Sequence, residues 1–196
     1  REISAFSRGP HGPRRLARAL VEAAEKGGAT DVHLASDGGT AHVRFRLEGE
    51  LVDVVQLKAD AAERLVAALK GWAGCLPYRR DLVQEGRIGR TGVAADIRAS
   101  FVPTPFGDRV ALRLFGRLRR LDELGLPSNV LVGLQRELAR RSGLLLVAGS
   151  TGAGKTTTLY AALAHLAASR TGAHLSLEDP VEQRLRAAGV AVDQVE

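Results

Sequence analysis

The chain has 196 residues, 45% hydrophobic and 26% charged, which is the composition of a soluble globular protein with room for one large core or two small ones. No apolar run approaches the ~18 residues that a membrane span requires, and no basic-then-apolar leader opens the sequence. The net charge of +6 comes from 24 Arg and only 4 Lys scattered in short groups (Arg14-Arg15-Arg18, Arg117-Arg119-Arg120, Arg136-Arg140-Arg141), which reads as solvated faces and linkers and argues against a nucleic-acid surface. In chain order, residues 1–13 carry two Gly-Pro pairs and no periodicity, so a leader or linker is expected. Arg14 to Lys26 predicts a helix with Leu16, Leu20, Val21 and Ala24 on one face and Gly27-Gly28 as its stop. Alternation then predicts strands around Val32 and Leu34 and around Val43, Phe45 and Leu47, joined by a turn at Asp37-Gly38-Gly39.

A second helix is expected from Asp60, with Glu63 completing a capping box and Leu65, Leu69 and Trp72 forming the apolar stripe. A hairpin follows. Val93, Ala95, Ile97, Ala99 and Phe101 should point inward, with Asp96, Arg98 and Ser100 outward. After Pro103–Gly107 the returning strand should bury Val110, Leu112 and Leu114 and expose Arg109 and Arg113. Residues 14–115 thus read as an α+β domain with an antiparallel sheet, and 116–127 as a linker ending in Pro127. From 128 the sequence predicts a second domain. Ser128 should cap a helix with Leu131, Leu134 and Leu138 on its face and Arg136, Arg140 and Arg141 in its last turn. Leu144 to Ala148 is a continuous apolar run, expected as a strand buried on both faces of a parallel sheet. A glycine-rich turn and a helix bearing Leu159, Leu163 and Leu166 follow, the order of a nucleotide-binding α/β domain.

The turn carries the chemistry. Gly149-Ser150-Thr151-Gly152-Ala153-Gly154-Lys155-Thr156 has the spacing of a phosphate loop, in which glycines let successive N–H groups face a phosphate at a helix N-terminus. Lys155 is expected to reach the β- and γ-phosphates of ATP, and Thr156 to offer its hydroxyl to Mg²⁺, with Thr157 next to it in the loop. Leu175 to Leu177 is expected as a further strand of the same sheet, ending in Glu178-Asp179-Pro180. A carboxylate there either polarises an attacking water, holds the Mg²⁺ shell or merely ends the strand.

These motifs together resemble the ATPases that power type II secretion and type IV pilus assembly. Gly149 to Tyr160 (GSTGAGKTTTLY) is similar to that family's extended phosphate loop, and Leu177 to Glu182 (LEDPVE) to its acidic box. Asp31-Val32-His33, Arg44 to Gly49, Gln84-Glu85-Gly86-Arg87, Gly107 to Leu114 and Gln194-Val195 match further family stretches, so the resemblance spans residues 28–196. Glu48 and Glu85 stand where the family more often has Asp. The resemblance implies a PAS-like N-terminal domain followed by the first part of a RecA-like ATPase domain. It also implies a homohexamer in the cytoplasm, peripheral on the inner membrane, working with a membrane platform protein and cytoplasmic assembly proteins. Glu178 is then the candidate water-activating base, and Arg98 and Arg113 match arginines offered to the nucleotide. The family's second acidic box, His box and zinc module would lie beyond Glu196.

The absence of Met and the opening Arg-Glu-Ile lead us to expect a piece of a longer chain that binds Mg-ATP and turns it over weakly alone. The single cysteine, Cys75, excludes an intrachain disulfide and is expected as a small buried hydrophobe. Two other readings stay open. A motor translocating nucleic acid would need a concentrated basic groove with stacking aromatics, whereas aromatics are 4% here. A nucleotide-gated subunit without turnover would carry the same visible motifs.

Overall fold

The computed structural model describes residues 12–90, 93–150, 152–185 and 189–196. The leader up to residue 11, Thr151 of the loop and the side chains of Val93, Ala95 and Asp96 lie outside the described residues. Two compact units divide the chain, the first from the residues up to Arg90 with Asp96–Phe115, the second mainly from Gly116–Glu196.

The first unit opens with α1 (Gly12–Lys26), two residues earlier than the sequence suggests. Pro13 suits the first turn, where its missing N–H is not needed, so Gly12-Pro13 starts the helix. Leu16, Leu20, Val21 and Ala24 are buried, as their spacing predicts. The strands are β1 (Asp31–Ser36), β2 (Thr40–Leu47), β3 (Glu50–Lys58), β4 (Gln84–Arg90), β5 (Val93–Val102) and β6 (Arg109–Leu114), and α2 (Ala59–Trp72) sits between β3 and β4. They form one sheet in the order β3-β2-β1-β6-β5-β4. Val32, Leu34, Val43, Phe45, Ile97, Ala99, Phe101, Val110 and Leu112 point from one face into a core completed by α1 and α2. The opposite face is polar.

Asp37 makes the β1–β2 turn by accepting the N–H groups of Gly39 and Thr40 at 3.0 and 2.8 Å, bonds that hold its carboxyl below the usual range, Thr40 first. The capping box expected at Asp60 and Glu63 does not form. The helix starts one residue sooner, without a side-chain cap, and Asp60 pairs instead with Arg64 one turn on. β3 escapes the alternation pattern because Leu51-Val52 and Val54-Val55 are adjacent apolar pairs, and the register shifts at Val43/Arg44 opposite them. Cys75 is free and half-buried against the core, and burial pushes its thiol up.

Gly86 has a steric reason. A Cβ there would stand 2.2 Å from the Ala73 carbonyl oxygen and 2.8 Å from the Cys75 sulfur, so β4 can lie against the end of α2 only with glycine. A buried charge pair is the other feature that the sequence does not announce. Lys70 is fully buried in α2, with its ammonium 2.8 Å from Asp108 Oδ2, 2.9 Å from the Arg79 carbonyl and over the Phe101 ring.

In the second unit, residues 116–127 carry a 3-10 turn (Leu121–Glu123) whose Leu121 packs on Ala161 and Ala162. Helix α3 (Ser128–Leu138) sets Leu131, Leu134 and Leu138 against the same cluster. Ser128 is not its cap; Pro127 occupies that position. The helix ends at Leu138, so only Arg136 lies in its last turn, while Arg140 and Arg141 follow it.

Helix α4 (Lys155–Ser169) follows the glycine loop and buries Tyr160, Ala161 and Ala162, leaving Leu159 exposed. β7 (Leu175–Leu177) pairs in parallel with β8 (Asp193–Val195). The expected strand 144–148 does not form among the described residues, where this stretch carries no assigned secondary structure and Leu144 is 83% and Leu146 79% exposed. A doubly buried strand needs a neighbour to bond and layers above and below, and the described residues supply neither at this stretch. Among the described residues, no helix is long and apolar enough to cross a membrane.

Candidate functional site

The residues expected as a phosphate loop lead directly into the N-terminus of α4. Gly152 and Gly154 adopt the left-handed region at φ 80° and 89°, a conformation that glycine takes without penalty. Gly154 ends the loop as the residue before α4, no side chain caps the helix, and its first turn carries no acidic residue. The helix therefore presents uncapped N–H groups and its positive dipole end, with no carboxylate of its own competing for the position. Lys155 folds back over the loop, its ammonium donating to the carbonyls of Gly149 and Ser150 at 3.1 and 2.9 Å. Ala153 N–H closes on Ser150 O at 3.2 Å. Thr156 lies partly exposed in the first turn and Thr157 exposed beside it, while Thr158 returns its hydroxyl to the Gly154 carbonyl at 2.9 Å. A cation, an uncapped helix start and a partly exposed Thr156 hydroxyl in one loop fit a triphosphate with a divalent cation.

Glu178 follows β7 and is tied to all three elements around it. Its N–H donates to the Val195 carbonyl. Oε1 accepts from Ser176 Oγ at 2.7 Å and from Gln194 Nε2 at 2.8 Å, and Oε2 accepts from the Tyr160 hydroxyl. Burial pushes the Glu178 carboxyl up, but the Tyr160, Gln194 and Ser176 side chains and the Glu182 backbone N–H together outweigh it and hold the group below the ordinary carboxylate value. Burial, with the Glu178 bond second, pushes the Tyr160 phenol up to about 12. Sequence reasoning assigned no role to Tyr160, Ser176 or Gln194. The Leu159-Tyr160 and Gln194-Val195 pairs marked the stretches but not the contact.

Arg98 and Arg113 belong to the first unit. They stand directly opposite each other across β5 and β6 on the polar sheet face, as the alternation requires. Like charges in that register repel, and each is offset by its own carboxylate. Arg98 pairs with Glu85 at 2.6 Å and Arg113 with Asp31 at 3.1 Å, while Asp31 also meets Arg46 at 3.4 Å. Arg98 holds the Glu85 carboxyl below its usual range. His33 lies on the same face. Burial lowers its pKa against the opposing pull of Asp31, and Arg46, Arg109 and Arg113 lower it further. Arg113 remains largely exposed, so a guanidinium edge stays open beyond its ion pair.

The profile of the family described as "Type II/IV secretion system protein" matches residues 11–196. The chain is 42% identical over 177 residues to the type II secretion system protein HxcR of Pseudomonas aeruginosa, covering 87% of this chain and 37% of that protein. It is 36% identical over 173 residues to the type II secretion system ATPase E of Vibrio cholerae, covering 86% of this chain and 34% of that protein. The chain thus spans about a third of the length of these relatives. Among solved structures, the fold resembles the Legionella pneumophila ATPase DotB, with a TM-score of 0.68 at 19% identity over 93% of this chain and 52% of that one. It also resembles the pilus retraction motor PilT with bound ADP, with a TM-score of 0.62 at 24% identity over 90% of this chain and 50% of that one.

Proposed function

Because the chain belongs to the type II/IV secretion system protein family, we propose that it is the nucleotide-binding part of a motor subunit that hydrolyses Mg-ATP to drive protein secretion or pilus assembly. In this reading, the first unit is a PAS-like domain and the second the start of a RecA-like ATPase domain. The subunit works as a homohexamer in the cytoplasm, held at the inner membrane face by a platform protein and cytoplasmic assembly proteins. The observation that carries the reading is the loop itself: left-handed Gly152 and Gly154, the Lys155 ammonium turned onto the loop, and the uncapped start of α4.

The chemistry follows from these groups. Backbone N–H donors of residues 149–157 and Lys155 cradle the β- and γ-phosphates. Thr156 would hold the Mg²⁺, which would neutralise charge on the phosphate oxygens. Glu178 is kept ionised by its donors, so it accepts the proton of the attacking water. Arg98 and Arg113 supply guanidinium charge to the γ-phosphoryl group, in their own chain or a neighbour's, exchanging part of their carboxylate pairing for phosphate oxygens.

Steady-state ATP hydrolysis by the full-length subunit tests the assignment. Glu178→Gln is expected to lower kcat by ~10²-fold or more with nucleotide affinity retained. Arg98→Ala or Arg113→Ala is expected to abolish most turnover while sparing the fold, and mixing either with Lys155→Ala subunits distinguishes action within a chain from action across subunits. Wild-type turnover by all three variants would overturn the catalytic roles.

A further inference from the structure

The contacts behind Glu178 carry a second layer of information. A carboxylate has about four acceptor sites. Ser176 and Gln194 take both on Oε1, and Tyr160 takes one on Oε2. The Glu182 backbone N–H adds a further contact that favours the ionised carboxylate.

Two of these donors are locked from behind. The Tyr160 oxygen accepts the N–H groups of Glu182 and Gln183 at 3.1 and 3.2 Å. With its lone pairs engaged there, its proton has one direction left, toward Glu178. Gln194 Oε1 accepts the Leu185 N–H at 2.7 Å, which fixes the amide so that Nε2 donates to Glu178 and, at 2.8 Å, to the Gln183 carbonyl. Neither side chain can turn away without leaving backbone groups unpaired in a part-buried site, which is costly. Tyr160 also lies on α4 just one turn after Thr156.

We propose that Tyr160 and Gln194 are positioning residues for Glu178: together they fix the orientation of its carboxylate toward the reacting water, with Tyr160 tying that geometry to the helix that opens at the phosphate loop. The proposal rests on the reading of Glu178 as the base. The groups facing Glu178 are two hydroxyls and one side-chain amide, from α4, β7 and β8, and the Glu182 backbone N–H. Each donor favours the ionised form, so removing one raises the carboxyl's pKa.

The test is the pH dependence of ATP turnover in the full-length subunit, comparing Glu178→Gln, Tyr160→Phe, Gln194→Glu and the double variant Tyr160→Phe/Glu178→Gln. Gln194→Glu keeps an acceptor for the Leu185 N–H but sets an oxygen in place of the donor. Tyr160→Phe and Gln194→Glu should each lower kcat by about ten-fold or more with KM unchanged. The acid limb of the rate profile should move to higher pH, more for Gln194→Glu. Adding Tyr160→Phe to Glu178→Gln should change nothing further. Should Tyr160→Phe fail to fold, Gln194→Glu still reads the limb. If Glu178→Gln is inactive but the acid limb and kcat of the other single variants match wild type, the positioning role is overturned and the base reading survives. Full turnover by Glu178→Gln overturns both.

Discussion

The buried Lys70–Asp108 pair offers the sharpest test of how the first unit is held together. Lys70 has no exposed surface, and the Asp108 side chain is 9% exposed. At 2.8 Å with an effective dielectric near 20, their attraction is about 6 kcal/mol, most of it offset by the loss of hydration. Asp108 Oδ1 has no hydrogen-bond partner among the described residues, so the pair is not fully compensated. Removing one partner is different from removing both. Lys70→Met leaves a buried carboxylate alone and should destabilise the unit by ~3–5 kcal/mol, and Asp108→Leu should do the same from the other side. The combined Lys70→Met/Asp108→Leu variant should lose less than either single change. Urea unfolding followed by fluorescence suits the case, because Trp72 is the chain's single tryptophan, two residues from Lys70 and packed against the first core. Single variants within about 1 kcal/mol of wild type, or a double variant as unstable as the sum of the two, would refute the reasoning.

Gly86→Ala should destabilise the first unit by more than about 2 kcal/mol in the same assay, since the new methyl meets the Ala73 backbone at 2.2 Å; a neutral change would remove the steric argument. Glu48 holds a left-handed φ of 50° ahead of Gly49, in a turn that favours Asn-Gly, so Glu48→Asn should raise stability by about 0.5–1 kcal/mol, read as a higher midpoint in urea. The folded chain keeps the Tyr160 proton up to about pH 12, whereas an unfolded tyrosine releases it near ~10, so the second unit should lose stability as pH rises through that window. Tyrosinate absorbance in Tyr78→Phe, which leaves one of the two tyrosines, should titrate late; an ordinary midpoint would break the Tyr160–Glu178 contact.

Residues whose partners are near in sequence, or whose pattern repeats, were readable in advance. The burial of Leu16, Leu20, Val21 and Ala24, and of Ile97, Ala99 and Phe101, follows from period alone. So does the juxtaposition of Arg98 and Arg113, which needs only a hairpin and alternation. What periodicity does not carry is partnership at a distance. β4 has one buried apolar residue, Ile88, and is a strand because its neighbour pairs it. The run 144–148 has the composition of a strand and finds no partner among the described residues. Lys70 looks like an ordinary helix lysine until Asp108 is brought beneath it, and Tyr160 looks like core until Glu178 meets its hydroxyl. Caps failed for a related reason: Ser128 and Asp60 have the right chemistry, but the helices start one and two residues sooner, respectively, than a cap at those residues requires.

The account turns on the loop of residues 149–157 binding a nucleotide, and thermal denaturation of the 196-residue chain with and without Mg-ATP measures that directly. At a hundredfold excess over Kd, Mg-ATP should add about 2.7 kcal/mol to the stability of the nucleotide-binding unit, and Lys155→Ala should abolish the shift without altering the unliganded transition. No shift at millimolar nucleotide, or a shift that survives Lys155→Ala, would contradict it.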